Sequence, residues 1–202
     1  AQTRNNLRDL LRLAMLLGAA SAAVAVMSTS LGLAPGVLTR DMADISHTPP
    51  YIGFLSTLGL MLWAGAAAVL FHGASLTAGA EQQRGWRTFL LASGALTVAL
   101  VLDDAFMFHE WLFPVVLHVR EYQVYAIYLL VVFSYLLAFL PRILETRYVY
   151  LVIALGLFTT SMAIDKLVGF GNGEAALEDV WKFGGQLCWL AYFHTTVSAR
   201  LL

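Results

Sequence analysis

Cysteine and charge are both scarce in this sequence. The 202 residues include one cysteine, Cys188, so an intrachain disulfide is excluded. Only 12% of the residues are charged, whereas an ordinary soluble domain carries about 25%. With a formal net charge of −1, the chain lacks the basic face of a nucleic-acid-binding protein, and we expect no nucleic-acid partner.

Several familiar catalytic motifs are absent as well. The chain has no Gly-x-Ser-x-Gly, no Walker motif and no dinucleotide-binding glycine motif. His109-Glu110 begins like the His-Glu-x-x-His motif of zinc proteases, but position 113 is Phe113 rather than histidine. A Glu-x-x-His pattern for a di-iron centre is missing too. The sequence motifs therefore do not identify a reaction for this chain.

Apolar residues, in contrast, are abundant. They make up 59% of the chain, and the mean hydropathy is +0.73. A soluble globule of this size has too little interior to bury so much apolar surface. The composition therefore predicts an integral membrane protein.

The gaps between charged residues predict the membrane spans, because a helix needs about 20 apolar residues to cross the hydrocarbon. Three of the uncharged runs are shorter than that, so those helices must carry charge inside the membrane or at its edge. We predict an all-α, six-transmembrane-helix bundle that forms one domain over 1–202, with the first helix retained as an anchor. The predicted helices lie at about 10–34, 51–78, 86–112, 121–141, 147–168 and 176–199.

The distribution of positive charge predicts the orientation. With six spans, one side holds eight basic residues and the other holds four, which places both termini in the cytoplasm of a multi-pass protein of the cell (inner) membrane. The acids show the opposite bias, since 10 of 13 lie toward the outer side. Acidic residues barely influence topology, so this bias indicates a polar site that faces the non-cytoplasmic side.

Four stretches contribute to that site, namely the ends of three predicted helices and the first outer loop, which adds Asp41, Asp44 and His47. On a continuous helix, Asp103 and Glu110 share one face and form the expected inward pair, with His109 on another side. Lys182 lies within one turn of Glu178 and Asp179, so either acid is a suitable partner.

Six acids and two lysines would give this group a charge of −4 if all were ionised. Three features could offset this negative charge: a bound cation, raised carboxylate pKa values, or access to water. We therefore predict a divalent metal, with six acids as candidate ligands: Asp103, Asp104, Glu110, Asp165, Glu178 and Asp179. The structural alternatives are helix capping, interface anchoring and, for Lys182, snorkelling to the headgroups.

Three functions fit these observations. The first is a metal-dependent hydrolase of a lipid or other amphiphile, with His109, Glu110 and Lys182 as catalytic residues. The second is an accessory or structural subunit of a larger membrane complex, with partner membrane subunits or a second copy of the chain. The third is a proton or cation pathway. Membrane lipids are expected partners in all three.

Overall fold

The structure is a computed structural model that describes residues 2–77, 83–167 and 172–201. Side chains are described over 6–77, 83–109, 111–120, 122–165 and 176–200. Every regular element in these ranges is a helix, which confirms the all-helical prediction for the described part of the chain. The chain divides into two compact units, Ala1–Ile52 and Gly53–Leu202. The prediction of one domain over 1–202 stays a prediction.

Eight α-helices and one π-helix make up the described chain. The first unit holds α1 (Gln2–Leu31), α2 (Pro35–Thr39) and α3 (Met42–Ser46). The second unit holds α4 (Phe54–Leu76), α5 (Arg84–Phe106), the π-helix (Phe108–Val116), α6 (Glu121–Leu144), α7 (Val149–Leu167) and α8 (Asn172–Leu201).

Four of the described helices are long and apolar enough to cross a membrane. They are Asn6–Leu31, Phe54–Leu76, Arg84–Phe106 and Tyr122–Leu144, and Val149–Asp165 is a shorter apolar helix. These apolar helices are compatible with a membrane protein. The count of six spans and the placement of the termini stay predictions.

The core of the second unit lies between α4, α5, α7 and α8. Helix α4 packs on α5 and α8, and α7 packs on α8. Large apolar side chains fill the space between them, and the fully buried ones include Leu70, Phe89, Leu90, Tyr192 and Phe193. Burial of this surface against other helices fixes the relative positions of α5 and α8, which carry the polar residues described below.

Helix α5 ends at Phe106, before the predicted end near residue 112. Met107 adopts the left-handed conformation, with φ 49° and ψ 47°, and its N–H donates to the carbonyl of Asp103. A left-handed residue cannot continue a right-handed helix, so the chain changes direction before the π-helix begins. The apolar periodicity gave no sign of this break, because Met107 is a good helix former.

A close approach between helices occurs at Gly185 on α8. A Cβ added there would lie 2.6 Å from Cε1 of Phe158 on α7. The Phe158 ring has little room to yield, since its centroid lies 5.5 Å from that of Trp63 and 6.1 Å from that of Trp189. The absence of a side chain at Gly185 therefore allows this aromatic cluster to pack.

We expect Gly185→Ala to lower the free energy of unfolding by about 1–3 kcal/mol, the usual cost of overpacking a core. Gly184 supplies a matched control, because its added Cβ would meet Leu157 at an ordinary 3.4 Å. Gly184→Ala should be neutral, or stabilising by up to about 1 kcal/mol through helix propensity. Unfolding in detergent micelles measures both, and equal losses in the two variants would contradict the predicted clash.

Candidate functional site

Asp103, near the end of α5, is the acceptor of three hydrogen bonds. Its Oδ2 lies 2.7 Å from Nδ1 of His109. Its Oδ1 accepts from the backbone N–H of His109 at 3.1 Å and from the Tyr128 hydroxyl at 2.6 Å. One carboxylate therefore joins α5 to the π-helix and to α6.

The break at Met107 makes this arrangement possible. On the predicted continuous helix, His109 would lie well round from Asp103, and Glu110 would be the partner. The left-handed residue instead brings the first turn of the π-helix back over Asp103. The backbone N–H of His109 is one of the first-turn donors that a helix leaves unsatisfied, so Asp103 also caps this helix. The Glu110 side chain, and with it the expected Asp103–Glu110 pair, lies outside the described residues.

The Asp103–His109 pair is shielded from solvent. The side chain of Asp103 is 12% exposed and that of His109 is 18% exposed. Tyrosine rings lie close to the imidazole, with centroid distances of 5.7 Å to Tyr125 and 6.3 Å to Tyr128. Asp103 engages Nδ1 of the imidazole, and Nε2 is the ring nitrogen that this carboxylate does not contact.

A second, partly buried pair follows at the next residue of α5. Lys182 on α8 donates to Oδ1 of Asp104, and the two form an ion pair. The Asp104 side chain is 11% exposed and that of Lys182 is 30% exposed. The other carboxylate oxygen of Asp104, Oδ2, is buried and has no hydrogen-bond partner among the side chains that the structure describes. The sequence suggested Glu178 or Asp179 as partners of Lys182, whereas packing brings α5 to it.

Polar side chains continue from Asp104 along the same face of α5. Thr97 lies seven residues before Asp104 in the sequence, and its hydroxyl accepts a hydrogen bond from Nε1 of Trp189 at 3.0 Å. One turn further on, the hydroxyls of Ser93 and Tyr135 lie 2.6 Å apart. From α8, Gln186 adds a side chain that is only 2% exposed. These residues form a buried polar seam between α5 and its neighbours.

An aromatic layer follows the seam on the side away from Asp104. Phe89 lies one turn from Ser93 on α5, and Phe193 lies one turn from Trp189 on α8. Phe89, Tyr192 and Phe193 are fully buried, and Phe193 contacts each of the other two rings, with centroids 6.4 Å and 4.7 Å away. Three packed rings therefore separate the seam from the opposite end of these helices.

Four of the predicted site residues thus form two pairs in the structure, Asp103 with His109 and Asp104 with Lys182. Among the remaining candidates, Asp165 and Glu178 are half-buried and each has interactions of its own, while Asp179 is exposed. Across the described side chains, no group of three or more His, Cys, Asp or Glu residues is arranged to hold a metal ion. The divalent metal and its six acidic ligands therefore stay predictions.

Sequence reasoning missed Tyr128, whose hydroxyl completes the hydrogen bonds of Asp103. The available signal was a series of tyrosines, Tyr122, Tyr125 and Tyr128, in the first half of a largely apolar helix. Tyrosines are common there, because their rings suit the edge of a membrane. Sequence position alone could not show that this hydroxyl reaches α5.

Comparison with known proteins matches the chain to a protein family. No curated protein and no solved structure matches the chain. A family model described as Domain of unknown function (DUF8692) matches residues 10–196. That range takes in most of both compact units, together with the Asp103–His109 and Asp104–Lys182 pairs. The chain therefore belongs to the DUF8692 family.

Proposed function

We propose that the chain is a membrane-embedded hydrolase that acts on an ester bond of an amphiphile, with His109 as its general base. The observation that carries the proposal is the buried contact of 2.7 Å between Asp103 Oδ2 and His109 Nδ1. A carboxylate in this position fixes the imidazole tautomer and stabilises the imidazolium that forms during reaction. Nε2 would take a proton from the attacking water and return it to the leaving alcohol oxygen.

The cost of burial supports a functional role. Ionisable groups at membrane depth are expensive and usually mark functional sites. Neutral hydrogen-bonding residues could join the same helices at lower cost. Two adjacent aspartates with a histidine and a lysine as partners are more than a helix junction requires.

The surroundings of the pair support an amphiphilic substrate. Phe106, Met107 and Trp111 flank the pair in the sequence, and their side chains are exposed. An acyl chain could lie on this apolar surface while its ester reaches His109. Lys182 has three N–H donors, of which Asp104 uses one, and the ammonium can bind a carbonyl or phosphoryl oxygen. We assign no role to Glu110 in this proposal.

The charge distribution of the sequence supports a placement in the cell. We propose that six helices span the cell membrane, with both termini in the cytoplasm and this site on the outer side. The support is the excess of arginines in the loops at the opposite ends of the helices.

A divalent metal at the same site is the sequence-based variant of the proposal. It would activate the attacking water directly. Metal analysis of purified protein separates the two versions. A stoichiometric ion that disappears in Asp103→Ala would favour the metal version, and its absence in the unsubstituted protein would favour His109 acting alone.

A structural subunit is the second candidate function, and one observation favours it. All three hydrogen bonds to Asp103 tie α5, the π-helix and α6 together, as a purely structural junction would. A stoichiometric partner that co-purifies with the chain would support this candidate. The proton pathway has less support, because the layer of Phe89, Tyr192 and Phe193 interrupts the polar seam.

We expect His109→Gln to lower ester hydrolysis by at least about 100-fold, since general base catalysis contributes about 10²- to 10⁴-fold. The assay uses long-chain p-nitrophenyl esters and bis-p-nitrophenyl phosphate in mixed micelles. His72→Gln is the matched control, because His72 is exposed and lies near the C-terminal end of α4, on a helix that contributes no residue to the two pairs. No turnover by the unsubstituted protein, or equal turnover by both variants, would contradict the proposal.

A further inference from the structure

Two guanidinium groups lie against the indole of Trp86 at the end of the second unit opposite Asp103. The Cζ of Arg200, on α8, is 3.7 Å from the ring centroid, and the Cζ of Arg142, on α6, is 5.5 Å away. Trp86 itself is buried in the first turn of α5. These distances are those of cation–π contacts, which hold both arginines beside one aromatic ring.

Glu145 joins the same group of residues. Its Oε1 accepts from Arg142 at 3.1 Å and its Oε2 accepts from Arg200 at 3.2 Å. Trp86, Arg142, Glu145 and Arg200 form what we call the arginine–tryptophan cluster. Each guanidinium has five N–H donors, and Glu145 is placed to neutralise only one of the two charges.

The surroundings of the cluster are also positive. Arg84 and Arg87 flank Trp86 on α5, and Arg147 follows α6; all three are exposed. Glu145 is the one acid at this end among the described residues of the second unit, and the sequence adds Glu81 outside them. Arg142 also approaches the first turn of α5, where its Nη2 lies 2.8 Å from the Cβ position of Gly85. The start of a helix carries partial positive charge, which increases the local excess.

We propose that the arginine–tryptophan cluster binds the phosphate group of an anionic phospholipid. Positive charge held in place on a tryptophan ring complements a phosphodiester, and guanidinium groups bind phosphate oxygens in a bidentate manner. Basic pockets between membrane helices bind anionic headgroups in the same way.

The apolar surface beside the cluster favours a lipid over free phosphate. Leu144 immediately precedes Glu145, and Tyr148 and Val149 follow within one turn of chain; all three side chains are exposed. Acyl chains attached to a bound phosphodiester would cover this surface. A free phosphate ion would leave it uncovered.

The test compares phosphatidylglycerol with phosphatidylcholine by native mass spectrometry of the full chain released from detergent. We expect preferential retention of phosphatidylglycerol. Arg142→Gln with Arg200→Gln should reduce that preference about 25-fold, since each basic residue near an anionic membrane surface contributes about five-fold. Arg40→Gln is the control, because Arg40 is an exposed residue of the first unit and pairs with Asp44.

Glu145→Gln keeps the test decisive even if the double variant does not fold. This change removes the one negative charge of the cluster and should raise retention of phosphatidylglycerol about five-fold. Inorganic phosphate should displace no more lipid than chloride does at equal ionic strength. Equal retention of both lipids, no gain with Glu145→Gln, or displacement specific to inorganic phosphate would each overturn the proposal.

Discussion

Asp103→Asn is expected to lower ester hydrolysis by about 10⁴-fold while the protein stays folded. The reason lies in how the two carboxylate oxygens are used. Oδ1 accepts two hydrogen bonds, from the His109 backbone and from Tyr128, whereas Oδ2 has His109 Nδ1 as its partner among the described side chains. In asparagine, the single carbonyl oxygen would take the position that has two donors.

The asparagine NH₂ group would then face Nδ1 of His109 and donate to it. That hydrogen bond favours the tautomer with the proton on Nε2, which can no longer accept one from water. The same substitution of the aspartate in Ser-His-Asp hydrolases costs about 10⁴-fold for this reason. Helix content and thermal unfolding should change little, because two of the three hydrogen bonds persist.

Asp44→Asn is the control for this experiment. Asp44 is an exposed aspartate of the first unit, and its ion pair is with Arg40. We expect unchanged turnover in this variant. A fully active Asp103→Asn protein would show that the carboxylate serves the fold alone.

Lys182→Ala is expected to lower the free energy of unfolding by about 3 kcal/mol, because it leaves a buried carboxylate without its cation. Asp104 is 11% exposed, and its Oδ2 is already without a partner among the described side chains. The substitution would therefore expose the full cost of burying this charge. Unfolding of the purified protein in detergent micelles measures the change.

A double variant separates the charge from the packing. Lys182→Met with Asp104→Asn removes both charges, keeps similar volumes, and should recover most of the lost stability. The exposed Arg40–Asp44 pair is the control, and Arg40→Ala should cost less than about 1 kcal/mol. If the double variant is as unstable as Lys182→Ala, packing of the lysine stem rather than charge explains the loss.

The sequence predicted the helical class and which side chains carry the polar chemistry. Uncharged runs indicated helices near α4, α5 and α6, and the charges that interrupt such runs drew attention to Asp103, Asp104, His109 and Lys182. The uncharged runs and the few charges within them both reflect the cost of placing charge in hydrocarbon. This pattern can be recognised in a single sequence.

The pairing of those side chains could not be predicted. Helical periodicity on a continuous helix placed His109 on a different side from Asp103, but a left-handed methionine leaves no trace in a hydrophobic pattern. Local spacing offered Lys182 two acids on its own helix, yet the packing of α4 against both α5 and α8 brings Asp104 to it. Contacts between distant segments depend on how whole helices fit together, and spacing along the chain does not contain that information.

The left-handed conformation of Met107 stores backbone strain at the end of α5. A non-glycine residue in its conformation costs about 1–2 kcal/mol, and a straightened α5 would recover that energy. On a continuous helix, the six residues from Asp103 to His109 would place His109 about 120° around the helix from Asp103 and about 9 Å further along its axis. The contact between Asp103 and His109 therefore exists only while the chain is bent at Met107. A molecule that binds the imidazole in this position would also stabilise the bend.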